Sequence, residues 1–142
     1  AQGLANGADV GVNYAREDWE QRVNEWTAKR GVDVIVDHVG RDTLPQGIGL
    51  LAKGGRLVTC GVTSGAQMEL NFAPIFFKSL SVLGSTMGGL GEMKRVAGLV
   101  FAGQLRPVVA ARYRLDQVRE AHEKLASRTV FGKVLLEVGG AM

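Results

Sequence analysis

The chain is short of cysteine and proline, with one Cys and three Pro in 142 residues. A lone cysteine forms no intrachain disulfide and cannot build a Cys-rich zinc site. Long apolar runs are also missing. None reaches the roughly 18 residues that a membrane span needs, so no membrane partner is expected. The first residues lack a basic segment followed by an apolar one, so no secretory signal shows there. Charge of one sign is scarce as well. The net charge is +3 at pH 7 and 22% of residues are charged, with basic residues mostly interleaved among acids. The densest basic stretch, Arg106, Arg112 and Arg114, is broken by Tyr113 and apolar residues. It reads as a solvated face, and no nucleic-acid partner is expected. The single thiol fits a reducing compartment, so a cytoplasmic location is expected.

What the chain does have is apolar residues, at 46%, and 20 glycines. That apolar fraction argues against disorder, and the length fits about one domain. The glycines follow no collagen period. They fall at the ends of apparent elements, as tight turns or close backbone approach require.

The pattern along the chain alternates strand and helix. Val10 to Tyr14 reads as a short strand. Trp19, Val23 and Trp26 share one face of a helix over Asp18 to Lys29, with Asp18 as its cap and Gln21 placed as in a capping box. Val32 to Val39 is β-branched and nearly continuous in apolar residues, as in a parallel strand covered on both faces. Thr43 to Leu51 reads as a helix with Pro45 in its first turn. Lys53-Gly54-Gly55 reads as a turn and Arg56 to Cys60 as a strand. Gly61 to Leu70 looks like a loop, and Asn71 can cap a helix carrying Phe72, Ile75, Phe76 and Phe77. Ser81 to Leu83 is a third internal strand. A glycine-rich stretch over Gly84 to Gly91 then leads into a helix with Met93, Val96, Ala97, Val100 and Phe101 on one face. Pro107 to Tyr113 is expected to be extended. Asp116 to Ser127 is expected to be helical, with Val118, Ala121 and Leu125 inward. Lys133 to Val138 is the last strand. The expected class is α/β with a mostly parallel sheet and flanking helices.

In an open α/β sheet, ligands bind outside the carboxyl ends of strands. Three such ends meet glycine: Val39-Gly40, Cys60-Gly61 and Leu83-Gly84. Glycine there lets a flat or charged ligand lie close to the backbone, or merely turns the chain. No Gly-x-Gly-x-x-Gly lies between a first strand and helix, and no phosphate loop of the Lys-Ser/Thr type is present. Asp37 and His38 are adjacent on a strand and so face opposite sides. Asp37 can take a ribose hydroxyl or a backbone N–H. His122 reads as structural and Cys60 as a small core residue. Two isolated histidines and one cysteine make no metal site. Ser64, Ser81 and Ser85 lack the setting of a nucleophile elbow. No catalytic residue is identified.

The order of these pieces resembles the C-terminal half of the medium-chain dehydrogenases/reductases, the superfamily of zinc-type alcohol dehydrogenases and quinone oxidoreductases. The stretches that carry the resemblance are Gly7-Ala8-Asp9-Val10 with Asn13-Tyr14, Gly31 to Gly40, Gly54 to Gly61, Leu80 to Gly88, and Phe131 to Leu136. They run in register from about residue 5 to residue 138. The resemblance implies a partial Rossmann-like fold lacking the first two family strands. Residues 1–88 would be the nucleotide-binding region. Residues 89–142 would be the helices and strands that return to the catalytic domain. It implies NAD or NADP as cofactor, with hydride transfer to or from an alcohol, aldehyde, ketone or quinone. Val39 and Gly40 then resemble the wall near the adenosine half. Cys60, Gly61 and Val62 resemble the segment beside the nicotinamide. Ser85, Thr86 and Met87 resemble the segment that reaches the carboxamide, and Lys133 a basic residue that meets the phosphates.

The same resemblance puts the fingerprint glycines, most of the catalytic domain and any zinc ligands upstream of residue 1. Zinc would belong to the parent only. The chain is therefore expected to be an incomplete and inactive part of an enzyme. Val32 to Val39 is expected to expose an edge, with homo-oligomers forming through sheet edges, including the strand at Ser81 to Leu83. The alternative is a non-catalytic α/β interaction or dimerisation module that retains the fold.

Overall fold

The structure, a computed structural model, describes residues 2–127 and 129–139. It divides into two compact units, the first spanning Gly3–Met87 and the second beginning at Gly88.

A helical turn, α1 (Gln2–Ala5), comes first in the chain, and α2 (Trp19–Trp26) follows in the first unit. Asp18 caps α2 by accepting the Gln21 amide at 2.9 Å. The reciprocal arm of the box is not made, because the Gln21 carboxamide reaches forward to Glu25 at 2.9 Å. The helix stops short of Lys29, since Ala28 and Lys29 take positive φ of 49° and 63°. The predicted strand at Val10 to Tyr14 does not form: the segment is irregular and ends in a turn. A strand needs a ladder, and no strand among the described residues pairs with this segment.

Three parallel strands build the sheet, β1 (Val32–Asp37), β2 (Leu51–Thr59) and β3 (Ser81–Gly84), in the order β1-β2-β3. Helix α3 (Leu44–Leu50) crosses from β1 to β2, and α4 (Ala73–Phe77) precedes β3. The Asn71 carboxamide oxygen accepts the Ala73 amide at 3.0 Å and so shapes the entry to α4. The predicted turn at Lys53 to Gly55 lies inside β2 as an irregularity, because Val32 pairs with Leu51 but Val34 pairs with Arg56. Lys78, just after α4, donates its ammonium to the Gly49 and Leu51 carbonyls at 2.8 and 2.9 Å, closing the carboxyl end of α3.

The core lies on one face of this sheet. Leu44, Ile48, Leu51 and Leu57 are buried, and Ile35, Leu70, Ile75 and Leu80 pack against them. Burying each such side chain contributes about 2 kcal/mol. The reading of Val32 to Val39 as covered on both faces is corrected here. Val34 is 52% exposed and Val36 is 69% exposed, and β1 is an edge strand.

In the second unit, α5 (Leu90–Phe101) is followed by β4 (Val109–Arg114), a 3-10 turn (Leu115–Gln117), α6 (Val118–Ala126) and β5 (Lys133–Glu137). β4 and β5 pair with each other in parallel. Arg112 pairs with Glu137 and Arg114 with Asp116, both exposed, as a solvated basic face would. Of the predicted inward residues of α6 only Ala121 is buried. The expected apolar face of α5 is open, with Met93, Val96 and Phe101 exposed. None of the described helices is long and apolar enough to cross a membrane.

Candidate functional site

Because the three strands of the first unit are parallel, their carboxyl ends lie at one edge of the sheet. Asp37, Thr59 and Gly84 end them. Alternation along β1 puts Asp37 inward at 7% exposure and His38 outward.

The Asp37 carboxylate organises the turn that follows. Its Oδ1 accepts the Val39 amide at 3.1 Å and the Gly40 amide at 2.8 Å. Its Oδ2 accepts the Thr43 hydroxyl. The backbone N–H, one of the two partners open to Asp37 from sequence, is the one observed. An aspartate that bonds the backbone two and three residues ahead is an Asx-type turn. Thr43 precedes α3 but makes no side-chain cap to it; its hydroxyl donates to Asp37 instead.

The loop after β2 is laced to this turn. The Cys60 amide donates to the Asp37 carbonyl at 2.9 Å, Ser64 to Val39 at 2.8 Å and Arg41 to Gly65 at 3.1 Å. Gly40 and Gly65 form a parallel bridge. Gly40 has φ +91°, and a Cβ there would stand 2.7 Å from the Gly65 carbonyl oxygen and 3.0 Å from the Val62 Cα. Glycine is required at that position by the crossing of the two loops, whether or not a ligand approaches.

Five of the predicted site residues are therefore gathered in one laced pair of loops: Val39, Gly40, Cys60, Gly61 and Val62. Ser85 follows β3, its amide donating to the carbonyl of Thr59, the last residue of β2, at 2.9 Å. Thr86 and Met87 follow it and are exposed. Lys133 opens β5 in the second unit and is exposed. Cys60 is exposed, which corrects its reading as a core residue: β2 ends at Thr59, so Cys60 has already left the sheet. Sequence reasoning weighed Ser64 only as a nucleophile and missed its part in the lacing. The available signal was Asp37 followed three residues later by Gly40.

At the opposite end of β1, Arg30 and Asp33 form two parallel hydrogen bonds of 2.8 and 2.7 Å. The hydrogen bond from Arg30 holds the Asp33 carboxyl below the usual carboxylate range.

The sequence profile of a family described as zinc-binding dehydrogenase matches residues 6–136. The chain belongs to the zinc-binding dehydrogenase family. Within that family it is similar to quinone oxidoreductase of Homo sapiens, with 28% identity over 140 residues, covering 94% of this chain and 42% of the relative. A crystal structure of an NAD-dependent alcohol dehydrogenase superposes with a TM-score of 0.85 at 40% identity, covering 97% of this chain and 40% of that one. The alcohol dehydrogenase of Aeropyrum pernix superposes with a TM-score of 0.78 at 30% identity, covering 92% of this chain and 37% of that one. The chain thus spans about two fifths of the length of these relatives. Its fold is a partial Rossmann-type domain of the zinc-type alcohol dehydrogenase and quinone oxidoreductase superfamily.

A Cβ at Gly84 would have no atom within 4 Å, so the backbone there is open to a flat ligand. Among the described residues, no group of three or more His, Cys, Asp or Glu could hold a metal ion. No ligand set for the zinc of the family's description is found among them.

Proposed function

We propose that this chain contributes the cofactor-binding portion of an NAD(P)-dependent oxidoreductase that transfers a hydride to or from an alcohol, aldehyde, ketone or quinone. The observation that carries this reading is the laced pair of loops at the carboxyl ends of β1 and β2, in a chain of this family. Residues 1–88 form the nucleotide-binding part, and residues 89–142 belong to the part that returns to the catalytic domain. Val39 and Gly40 line the adenosine side, and Cys60, Gly61 and Val62 stand beside the nicotinamide. Ser85, Thr86 and Met87 offer backbone groups to the carboxamide. When bound, the nicotinamide supplies or accepts the hydride; the protein positions it and shields it from water. No residue of this chain is assigned a proton-transfer role, and the 142 residues alone are proposed to be inactive.

Titration with NADH and NADPH tests the reading. Binding is expected, and it should tighten when the family's first two strands are restored upstream. Absence of binding in both forms overturns it, and turnover by the 142 residues alone overturns the proposed inactivity.

A second reading, self-association through sheet edges, is favoured by a specific observation. Both edges of the three-stranded sheet carry exposed apolar residues, Val34 and Val36 on β1 and Val82 and Leu83 on β3. An unpaired apolar edge is a template for another chain. A compact monomer by sedimentation at micromolar concentration overturns this second reading.

A further inference from the structure

We propose that Ser64, together with Asp37, is a positioning residue for the dinucleotide: the two lock the loop after β1 to the loop after β2, so that both halves of the cofactor meet their subsites at a fixed spacing. The inference rests on the cofactor reading above and adds residues to it. Neither side chain is among those assigned to touch the cofactor.

The geometry divides the work between them. Asp37 is 7% exposed. Both its carboxylate oxygens are occupied by Val39, Gly40 and Thr43, so it sets the shape of the first loop internally. Ser64 makes the link outward. Its hydroxyl donates to the Val39 carbonyl at 2.9 Å and accepts the Asp42 amide at 3.1 Å. Its own amide reaches the same carbonyl at 2.8 Å. One serine thus holds the peptide groups on both sides of Gly40 and Arg41. The adenosine-side residues Val39 and Gly40 are in that clamped loop. The nicotinamide-side residues Cys60, Gly61 and Val62 are in the loop that carries the serine.

A dinucleotide is two weak ligands joined by a diphosphate. The second half gains from the first only when the spacing of the subsites matches the linker. Subsites held rigid before binding also lose less freedom when the ligand arrives. Loosening the link should therefore weaken the joined ligand while leaving each half alone.

The test uses the whole chain and three probes: NADH or NADPH, adenosine monophosphate, and nicotinamide mononucleotide, followed by amide chemical-shift titration. Ser64→Ala is expected to weaken dinucleotide binding roughly fivefold, the effect of losing about one net hydrogen bond. The two fragments should stay within about twofold of the wild type, and Ser64→Thr, which keeps the hydroxyl, should restore the dinucleotide. Without any ligand, amide exchange in Gly40 to Asp42 and in Thr63 to Gly65 should rise together in Ser64→Ala. Unchanged dinucleotide affinity overturns the proposal, as does an equal loss for fragments and dinucleotide. Faster exchange confined to one loop also overturns it. A wild type that binds neither dinucleotide, both as this chain and with the family's first two strands restored, overturns the cofactor reading instead, whereas wild-type binding with an indifferent Ser64→Ala overturns only this inference.

Discussion

Gly40→Ala and Gly54→Ala make a matched pair. Both glycines have positive φ, +91° and +76°. A side chain in that region costs roughly 1–2 kcal/mol at either site. Their surroundings differ. A Cβ at Gly54 would meet nothing within 4 Å, whereas at Gly40 it would stand 2.7 Å from the Gly65 carbonyl oxygen and 3.1 Å from the Val62 Cβ. Relief requires the two loops to part, and such overpacking adds about 1–3 kcal/mol. Gly54→Ala should therefore cost about 1–2 kcal/mol and Gly40→Ala about 2–5 kcal/mol. Both tryptophans, Trp19 and Trp26, lie on α2 in the first unit. Their fluorescence in urea therefore reports the unfolding of the unit that carries both glycines. With a slope of roughly 1–3 kcal/mol per molar urea, the midpoints of the two variants should differ by about 1 M. Coincident midpoints would refute the claim that loop crossing, rather than backbone conformation, is the larger constraint at Gly40.

Three further outcomes are expected. Lys78→Met removes the ammonium that bonds the Gly49 and Leu51 carbonyls; urea unfolding should show a loss of about 1–2 kcal/mol, and an unchanged midpoint would mean water replaces it at no cost. The Asp33 carboxyl is held low by the hydrogen bond from Arg30, so its contribution is present above the ordinary carboxylate pKa and fades as pH falls through the lowered one. The stability gap between wild type and Asp33→Asn should shrink on acidification, and a gap that widens would reverse the assigned sign. Val36→Lys places a charge on the open face of β1, where Val36 is 69% exposed; sedimentation should show weaker self-association with little change in thermal stability.

The strands that bury a face were legible because their side chains are apolar for a reason the sheet still satisfies. Ile35 and Leu57 pack inward, and Gly40 and Gly61 after β1 and β2 and Gly84 at the end of β3 mark where the strands stop. Val10 to Tyr14 has the same local pattern, but a strand is a property of two segments, and none of the described strands pairs with it. Cys60 was misread because an apolar neighbourhood in sequence does not say where the ladder stops. The face of α5 has a clear helical period, yet period reports which residues share a side, not whether anything covers it. Of the site, the glycines at the strand ends were visible. The lacing was not, since it depends on backbone groups of Val39, Arg41 and Gly65 whose identity the residue types barely constrain.

Cys60 has a practical consequence. It is the one thiol in the chain, it is exposed, and its amide is anchored to the Asp37 carbonyl. A fluorophore attached to its sulfur would need no engineered background. It would sit where the chain leaves β2 and turns toward Val62. Such a label would move with the loop pair as one body, so its rotational freedom becomes a ruler for the stiffness of the sheet's carboxyl edge.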